Sequence, residues 1–346
     1  MHDIRNRFRG CLLGGAVGDA LGAPVEFMKR DEILALHGAG GVDRYVPAYN
    51  GLGTITDDTQ MSLFTAEGLL LGWADGCEHG TACLLEATRA AYLRWLHTQA
   101  EDPAAPADDI PIDGWLLQQP ALHARRGPGN TCLDELSAVR DGTRALAARN
   151  DRKGCGGLMR VAPVGLFFWR PEGAFSIRPA FMLARDLAGI THGHPTGQLS
   201  AGAFAAMIAA LADGMSLQGA LAVATHLLAR HEGHEETLLA IRRAEAFAQA
   251  GTPAHLAIPA LGAGWLAEEA LAISLYCALT AESFEHGVVM AVNHDGDSDS
   301  TGAISGHLLG ATLGIDAIPA ELLEPLELRA VITDMADRLA TYWQAG

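Results

Sequence analysis

The sequence predicts an all-α protein. Apolar residues recur at spacings of three and four along most of the 346-residue chain, the period of a helix face rather than of a strand. Alanine and leucine dominate these periodic stretches, while alternating β-branched runs are scarce. Glycine and proline fall between the stretches, as in Gly127-Pro128-Gly129, Gly193-His194-Pro195 and Gly251-Thr252-Pro253, where they act as stop signals.

The elements follow in order. Gly10 to Phe27, GCLLGGAVGDALGAPVEF, carries five glycines before Pro24; this is a helix able to pack closely on a neighbour and ended by the proline, with Asp19 as a buried polar residue. Thr54 to Leu63, TITDDTQMSL, opens a second helix with Thr56 and two aspartates in capping positions, and Leu69, Leu70 and Trp73 continue its period. Leu84, Ala87, Ala91 and Leu93 mark a third. Glu101 to Ile112 is a Pro/Asp/Ala-rich loop, so residues 95–122 are expected to form a surface insertion rather than a hinge. Met182, Leu183 and Leu187, then Phe204, Met207, Ile208 and Leu211, mark further helices. Near the C-terminal end Asp297 and Asp299 alternate with Ser298 and Ser300 before a small-residue helix. No long linker or internal repeat divides the chain, which is read as one domain over 1–346.

Composition excludes several function classes. Against 24 lysines and arginines stand 41 aspartates and glutamates, a formal net charge of −17. That balance repels phosphate backbones and anionic bilayers, so neither nucleic acid nor membrane is an expected partner. No stretch reaches the roughly 18 uninterrupted apolar residues of a membrane span. Arg5, Arg7 and Arg9 precede an apolar run, but Asp19 and Glu26 interrupt it too early for a signal peptide. The six cysteines form no C-x-x-C pair and read as reduced thiols of a cytoplasmic protein. His226, His231 and His234 have metal-like spacing without an acidic or cysteine partner set, and no Gly-x-Ser-x-Gly elbow is present.

The chemistry concentrates in two acidic, hydroxyl-bearing clusters, Thr56-Asp57-Asp58-Thr59 and Asp295-Gly296-Asp297-Ser298-Asp299-Ser300-Thr301. Each can be a helix cap. Adjacent carboxylates repel, however, and two sets of hard oxygen ligands brought together would hold a pair of divalent cations. Between them lie glycine-rich turns at Gly127 to Thr131 and Gly154 to Met159, whose backbone N–H groups suit a diphosphate without many cationic side chains.

Together these segments resemble the ADP-ribosylglycohydrolase family over nearly the full length. The matching motifs are GCLLGGAVGDALGAPVEF from Gly10, TDDTQMSL from Thr56, RGPGNT from Arg126, KGCGGLMRVAPVG from Lys153, THGHP from Thr191, GWLAEEAL from Gly264 and GDSDSTGAISG from Gly296. The resemblance implies a compact orthogonal helical bundle around two Mg²⁺ or Mn²⁺ ions. It implies Thr56, Asp57 and Asp58 as ligands from one side and Asp297, Asp299 and Ser300 from the other. Relatives often carry threonine where Ser300 stands, and Thr301 follows at once, so the ligating hydroxyl stays open between the two.

The expected activity is hydrolysis of the bond joining ADP-ribose to a protein side chain, arginine first, through an oxocarbenium-like transition state. Asp58 and Asp299 are the candidates to deprotonate a water, with Glu26 shaping the substrate side. Asn130, Thr131, Gly156, Gly157, Met159, Arg160, His192, His194 and Trp265 are the candidate substrate contacts; structural roles compete for Arg160 (an ion pair), the two histidines (caps) and Trp265 (core). Two alternatives remain: a module that blocks an ADP-ribosyltransferase toxin, with 95–122 facing the partner, or a hydrolase of a free ADP-ribose derivative.

Overall fold

The computed structural model describes residues 2–76, 81–100, 114–143, 147–171 and 177–344. Among them no strand occurs, and the chain runs through sixteen α-helices. The first eight are α1 (His2–Gly22), α2 (Arg30–His37), α3 (Asp57–Ala74), α4 (Thr81–Thr98), α5 (Asn130–Arg140), α6 (Ala162–Phe167), α7 (Ile177–Ala188) and α8 (Pro195–Ala212). There follow α9 (Leu217–Leu228), α10 (Glu235–Gln249), α11 (Ala254–Leu261), α12 (Ala267–Thr280), α13 (Phe284–Val292), α14 (Ser298–Leu313), α15 (Ala320–Leu323) and α16 (Arg329–Thr341).

The core centres on α8, which packs against α6, α7, α9, α12 and α14. By length and a mean hydropathy of 1.2 this helix could cross a membrane, but 89% of it is buried inside the bundle. A helix apolar on every side is what an interior position demands.

The seam between α1 and α14 places the functional residues. Gly10, Gly14, Gly18 and Gly22 face Gly310, Gly306, Gly302 and Ser298 in antiparallel order. A Cβ built on them would lie 2.4, 2.5, 2.0 and 2.3 Å from the backbone oxygens opposite, closer than any side chain tolerates. The glycines therefore let the two backbones touch, as the spacing predicts. Because the helices run antiparallel, the C-terminal end of α1 arrives beside the N-terminus of α14. Helix α1 stops at Gly22, and a turn through Pro24 delivers Glu26.

Of the suspected surface insertion 95–122, residues 101–113 lie outside the described residues; at its described ends Trp95, Leu116 and Leu122 are fully buried, whereas Gln118 and Pro120 are exposed. One expectation changes. Cys11, Cys132, Cys155 and Cys277 are free thiols, but Cys83 is disulfide-bonded, which corrects the reading of every cysteine as reduced.

Candidate active site

Both acidic clusters are helix caps, and both are something more. The Thr56 hydroxyl accepts from the Asp58 N–H at 3.3 Å, and Asp297 accepts from the Ser300 N–H at 3.4 Å. Asp19, buried on α1, binds the start of α3: its carboxylate accepts from the Thr56 N–H at 3.0 Å, the Thr59 N–H at 3.1 Å and the Thr59 hydroxyl at 2.5 Å. The second cluster is fixed by the Asp297 N–H, which donates to Ala263 O at 2.9 Å. At Gly296, with φ 138°, a Cβ would fall 2.0 Å from that same oxygen, so only glycine allows the approach.

The result is one acidic centre. Glu26, Asp297 and Asp299 offer carboxylate oxygens that all lie within 4.8 Å of one another. Asp57 accepts a backbone hydrogen bond from Gly129, and its own N–H donates to Arg126 O at 3.1 Å. Asp58 is buried, and its Oδ2 has no hydrogen-bond partner. Such an orphaned carboxylate oxygen is costly without a cation. Ser300 lines the same cleft. The Thr301 hydroxyl instead donates to Asp297 O at 2.7 Å and Ala291 O at 2.8 Å and meets His294 Nε2 at 2.8 Å. Of the two hydroxyls left open by the sequence, the cleft takes that of Ser300.

The electrostatics agree with the geometry. Burial, followed by the Asp299 charge, raises Asp19 to about 7 and, with further repulsion from Asp297, Glu26 to about 10. Burial and then Asp299 also hold Asp57 and Asp58 well above the ordinary carboxylate range. Asp297 is held well above its ordinary range for the same reasons, burial first and then the neighbouring Asp299 charge. Six carboxylates are thus packed together, and among the described residues no lysine or arginine lines the cleft they floor. An all-oxygen donor set of this kind fits hard divalent cations.

Above the acidic floor opens a cleft of about 320 Å³, within the range of small-molecule sites. Gly127, Pro128, Gly129, Asn130 and Thr131 form one wall. Gly129 caps α5 without a side-chain acceptor, so the first-turn N–H groups of α5, at the cleft-lining residues Asn130, Thr131 and Cys132, have no side-chain cap. Gly154, Cys155, Gly156 and Met159 form a second wall, which meets the first where the Cys132 Sγ approaches Gly156. It is tied to the Trp265 strip by the Gly154–Leu266 bridge and by Cys155 N–H donating to Trp265 O at 3.1 Å. Trp265 and Phe27 stack with ring centroids 5.1 Å apart and planes 20° apart. Phe27 is 72% and Trp265 37% exposed, so the pair stands at the rim. His192 lines the cleft behind the glycines; burial and then Arg160 lower it to about 3, leaving a neutral imidazole.

Some candidates are placed elsewhere. Arg160 is fully buried away from the cleft, over the Tyr92 ring at 4.2 Å, and donates to Leu187 O and the Thr191 hydroxyl at 3.0 and 2.9 Å. It is a core residue, held by neutral acceptors rather than the ion pair weighed as its structural role. His194 caps α8, accepting from the Thr196 N–H at 3.1 Å. Gly157 lies behind the wall against His192 and Ala188. Thr56, by contrast, stays with the acidic centre: it caps α3, and its side chain is hydrogen-bonded to Asp299. Sequence reasoning missed Phe27 and Cys155 as lining residues and Asp19 as the clamp on α3; each lay inside a quoted motif, but nothing in spacing told which way it would face.

The family profile of ADP-ribosylglycohydrolases matches residues 1–346. The chain belongs to the ADP-ribosylglycohydrolase family. It is an enzyme of that hydrolase class. Similar proteins include the ADP-ribosyl-[dinitrogen reductase] glycohydrolase of Rhodospirillum rubrum, 28% identical over 94% of this chain and 92% of that one. The ADP-ribosylarginine hydrolase Tri1 of Pseudomonas putida is 22% identical, over 96% and 78%, and the human ADP-ribosylhydrolase ARH3 is 24% identical, over 91% and 87%. A solved ADP-ribosylglycohydrolase-related protein complex superposes with a TM-score of 0.68 at 25% identity, covering the whole of both chains.

Proposed function

We propose that this ADP-ribosylglycohydrolase removes ADP-ribose from modified arginine side chains, using two divalent cations, Mg²⁺ or Mn²⁺. Thr56, Asp57 and Asp58 would hold them from α3 and Asp297, Asp299 and Ser300 from α14. The observation that carries this reading is the convergence of carboxylates from the turn after α1 and the starts of α3 and α14 on the floor of one cleft, with the Asp58 Oδ2 unpartnered. When bound, the cations supply charge that holds the ribose hydroxyls and acidifies a water.

The chain's own residues do the rest. Asp58, or Asp299 across the floor, accepts the proton of the attacking water. Glu26 bounds the substrate side of the cluster. The uncapped N–H groups at Asn130 and Thr131 and the Gly154–Gly156 turn receive the diphosphate, as helix starts and glycine turns do for anions. Trp265, with Phe27 stacked on it, offers a flat face for adenine. His192 and Met159 shape the wall between. His192 stays neutral and repels no cationic group.

The choice of arginine rests on charge. Among the described residues no lysine or arginine lines the cleft, and the leaving group of an ADP-ribosyl-arginine bond is a guanidinium. A cation-free cleft with an acidic floor attracts that cationic group rather than repelling it. The similar Tri1 protein is named an ADP-ribosylarginine hydrolase. The test is to measure ADP-ribose release from matched peptides carrying ADP-ribosyl-arginine or ADP-ribosyl-serine, and from a free ADP-ribose derivative. The arginine peptide is expected to turn over at least tenfold faster; equal or faster serine turnover overturns the acceptor, and turnover of the free derivative alone overturns the protein substrate.

A further inference from the structure

A two-residue turn before α3 brings an aromatic side chain to the edge of the acidic centre. Ala48 and Gly51 pair as an isolated antiparallel bridge, exchanging hydrogen bonds of 3.0 and 2.9 Å, and Tyr49 and Asn50 between them both have positive φ, 49° and 65°. Such a turn favours glycine, asparagine or aspartate at both positions. Asn50 suits it; a tyrosine there is strained, and strain of this kind persists only where the surroundings fix it. Here they do. The Thr54 hydroxyl donates to Ala48 O at 2.9 Å, and Gly53 O accepts from the Glu327 N–H at 3.0 Å. The Glu327 carboxylate in turn accepts from the Ile55 N–H at 3.2 Å and from Arg126 Nη2 at 2.9 Å. Arg126 precedes Gly127, so one glutamate ties the Tyr49 turn to the first wall of the cleft.

Gly127 marks where three groups meet. A Cβ built on it would lie 3.3 Å from the Tyr49 hydroxyl, 3.5 Å from Glu26 Oε2 and 3.7 Å from Asp57 Oδ1. Its own φ of 70° favours glycine, and the lack of a side chain leaves the space between the phenol and the carboxylates open. Gly127 lines the cleft and Tyr49 does not, which puts the phenol just past the Gly127 edge. Tyr49 is 40% exposed, and its hydroxyl has no hydrogen-bond partner among the described residues. We propose that Tyr49 is the contact residue for the acceptor: the guanidinium of the modified arginine lies against its phenol, outside the ADP-ribose cleft, with Glu26 beside it. The chemistry suits a cation, because a phenol offers guanidinium N–H groups both a π face and an oxygen acceptor. The neighbouring carboxylates of Glu26 and Asp57 favour positive charge at the same place.

The proposal rests on the arginine reading of the acceptor, and its test separates the two. KM and kcat are measured for wild type, Tyr49→Phe and Tyr49→Asn on matched peptides carrying ADP-ribosyl-arginine or ADP-ribosyl-serine, with free ADP-ribose as competitive inhibitor. Asparagine suits the positive φ of the turn, so Tyr49→Asn is expected to melt no lower than wild type. Its KM for the arginine peptide should rise about tenfold, while the inhibition constant of ADP-ribose, which carries no acceptor, stays within about twofold. Tyr49→Phe keeps the π face, and its KM should rise less. A Tyr49→Asn protein with the wild-type KM overturns the proposal. So does one that melts lower and loses ADP-ribose binding in step, since Tyr49 would then be a support of the loop. A wild type that turns over the serine peptide as fast as the arginine peptide overturns the arginine reading itself, before any variant is compared, and the guanidinium contact falls with it.

Discussion

At the scale of single residues, neighbours in sequence do different work because a helix start turns them to different sides. Ser300 and Thr301 are the clearest pair. Ser300 faces the cleft, while Thr301 is fully buried and ties the start of α14 to Ala291 and His294. Their substitutions should therefore separate. Ser300→Ala is expected to weaken Mn²⁺ binding by about tenfold or more with little change in melting temperature. Thr301→Val leaves buried acceptors unsatisfied and should cost about 1–3 kcal/mol of stability. Mn²⁺ titration and thermal melts of both variants check this; the reverse pattern would move the ligand to Thr301.

At the scale of elements, the site exists because α1 and α14 touch backbone to backbone. Gly18 shows the constraint, its Cβ position lying 2.0 Å from Gly302 O and 2.3 Å from Gly302 C. A methyl group there cannot be absorbed by a side-chain rotation, since the obstacle is main chain. Gly18→Ala should force the helices apart, destabilise the protein by about 3 kcal/mol or more and pull Asp19 and Glu26 away from Asp297 and Asp299. A thermal melt together with Mn²⁺ affinity tests it, and an unchanged melt would mean the seam gives way easily. Much of this was legible in the sequence. The glycine spacing announced close packing, the helical period announced the all-α class, and the acidic clusters announced two halves of a centre. What sequence spacing did not carry was facing. Arg160 reads equally as a phosphate ligand or an ion-pair residue until the turn before α6 sends it into the core over the Tyr92 ring, and Phe27 looks like the end of a motif until a positive φ of 69° swings it onto Trp265. These outcomes depend on which neighbour arrives from far along the chain, information that local pattern lacks.

At the scale of the whole molecule, a protein with a formal charge of −17 gathers six carboxylates into one buried centre, and that has a stability signature. Burial and mutual repulsion raise Asp19 to about 7 and Glu26 to about 10, with Asp57, Asp58 and Asp297 also well above their ordinary range. A carboxyl whose pKa is raised by folding holds its proton in the folded state at a pH where the unfolded chain has already lost it. Its contribution is fully present below about pH 4, the ordinary carboxyl range. It is lost as pH rises through about 7 for Asp19 and on toward about 10 for Glu26. The metal-stripped protein should therefore melt at progressively lower temperature between about pH 5 and pH 8. A bound divalent cation inverts this, because it favours the ionised carboxylates and must displace their protons to enter. The rise in melting temperature on adding saturating Mn²⁺ should accordingly be larger at pH 8 than at pH 5, and Mn²⁺ uptake should release protons measurable by calorimetry in buffers of different ionisation enthalpy. A metal-stripped protein whose melting temperature climbs over that range, with no proton release on Mn²⁺ binding, would mean that the cluster is already ionised and balanced by something other than a metal.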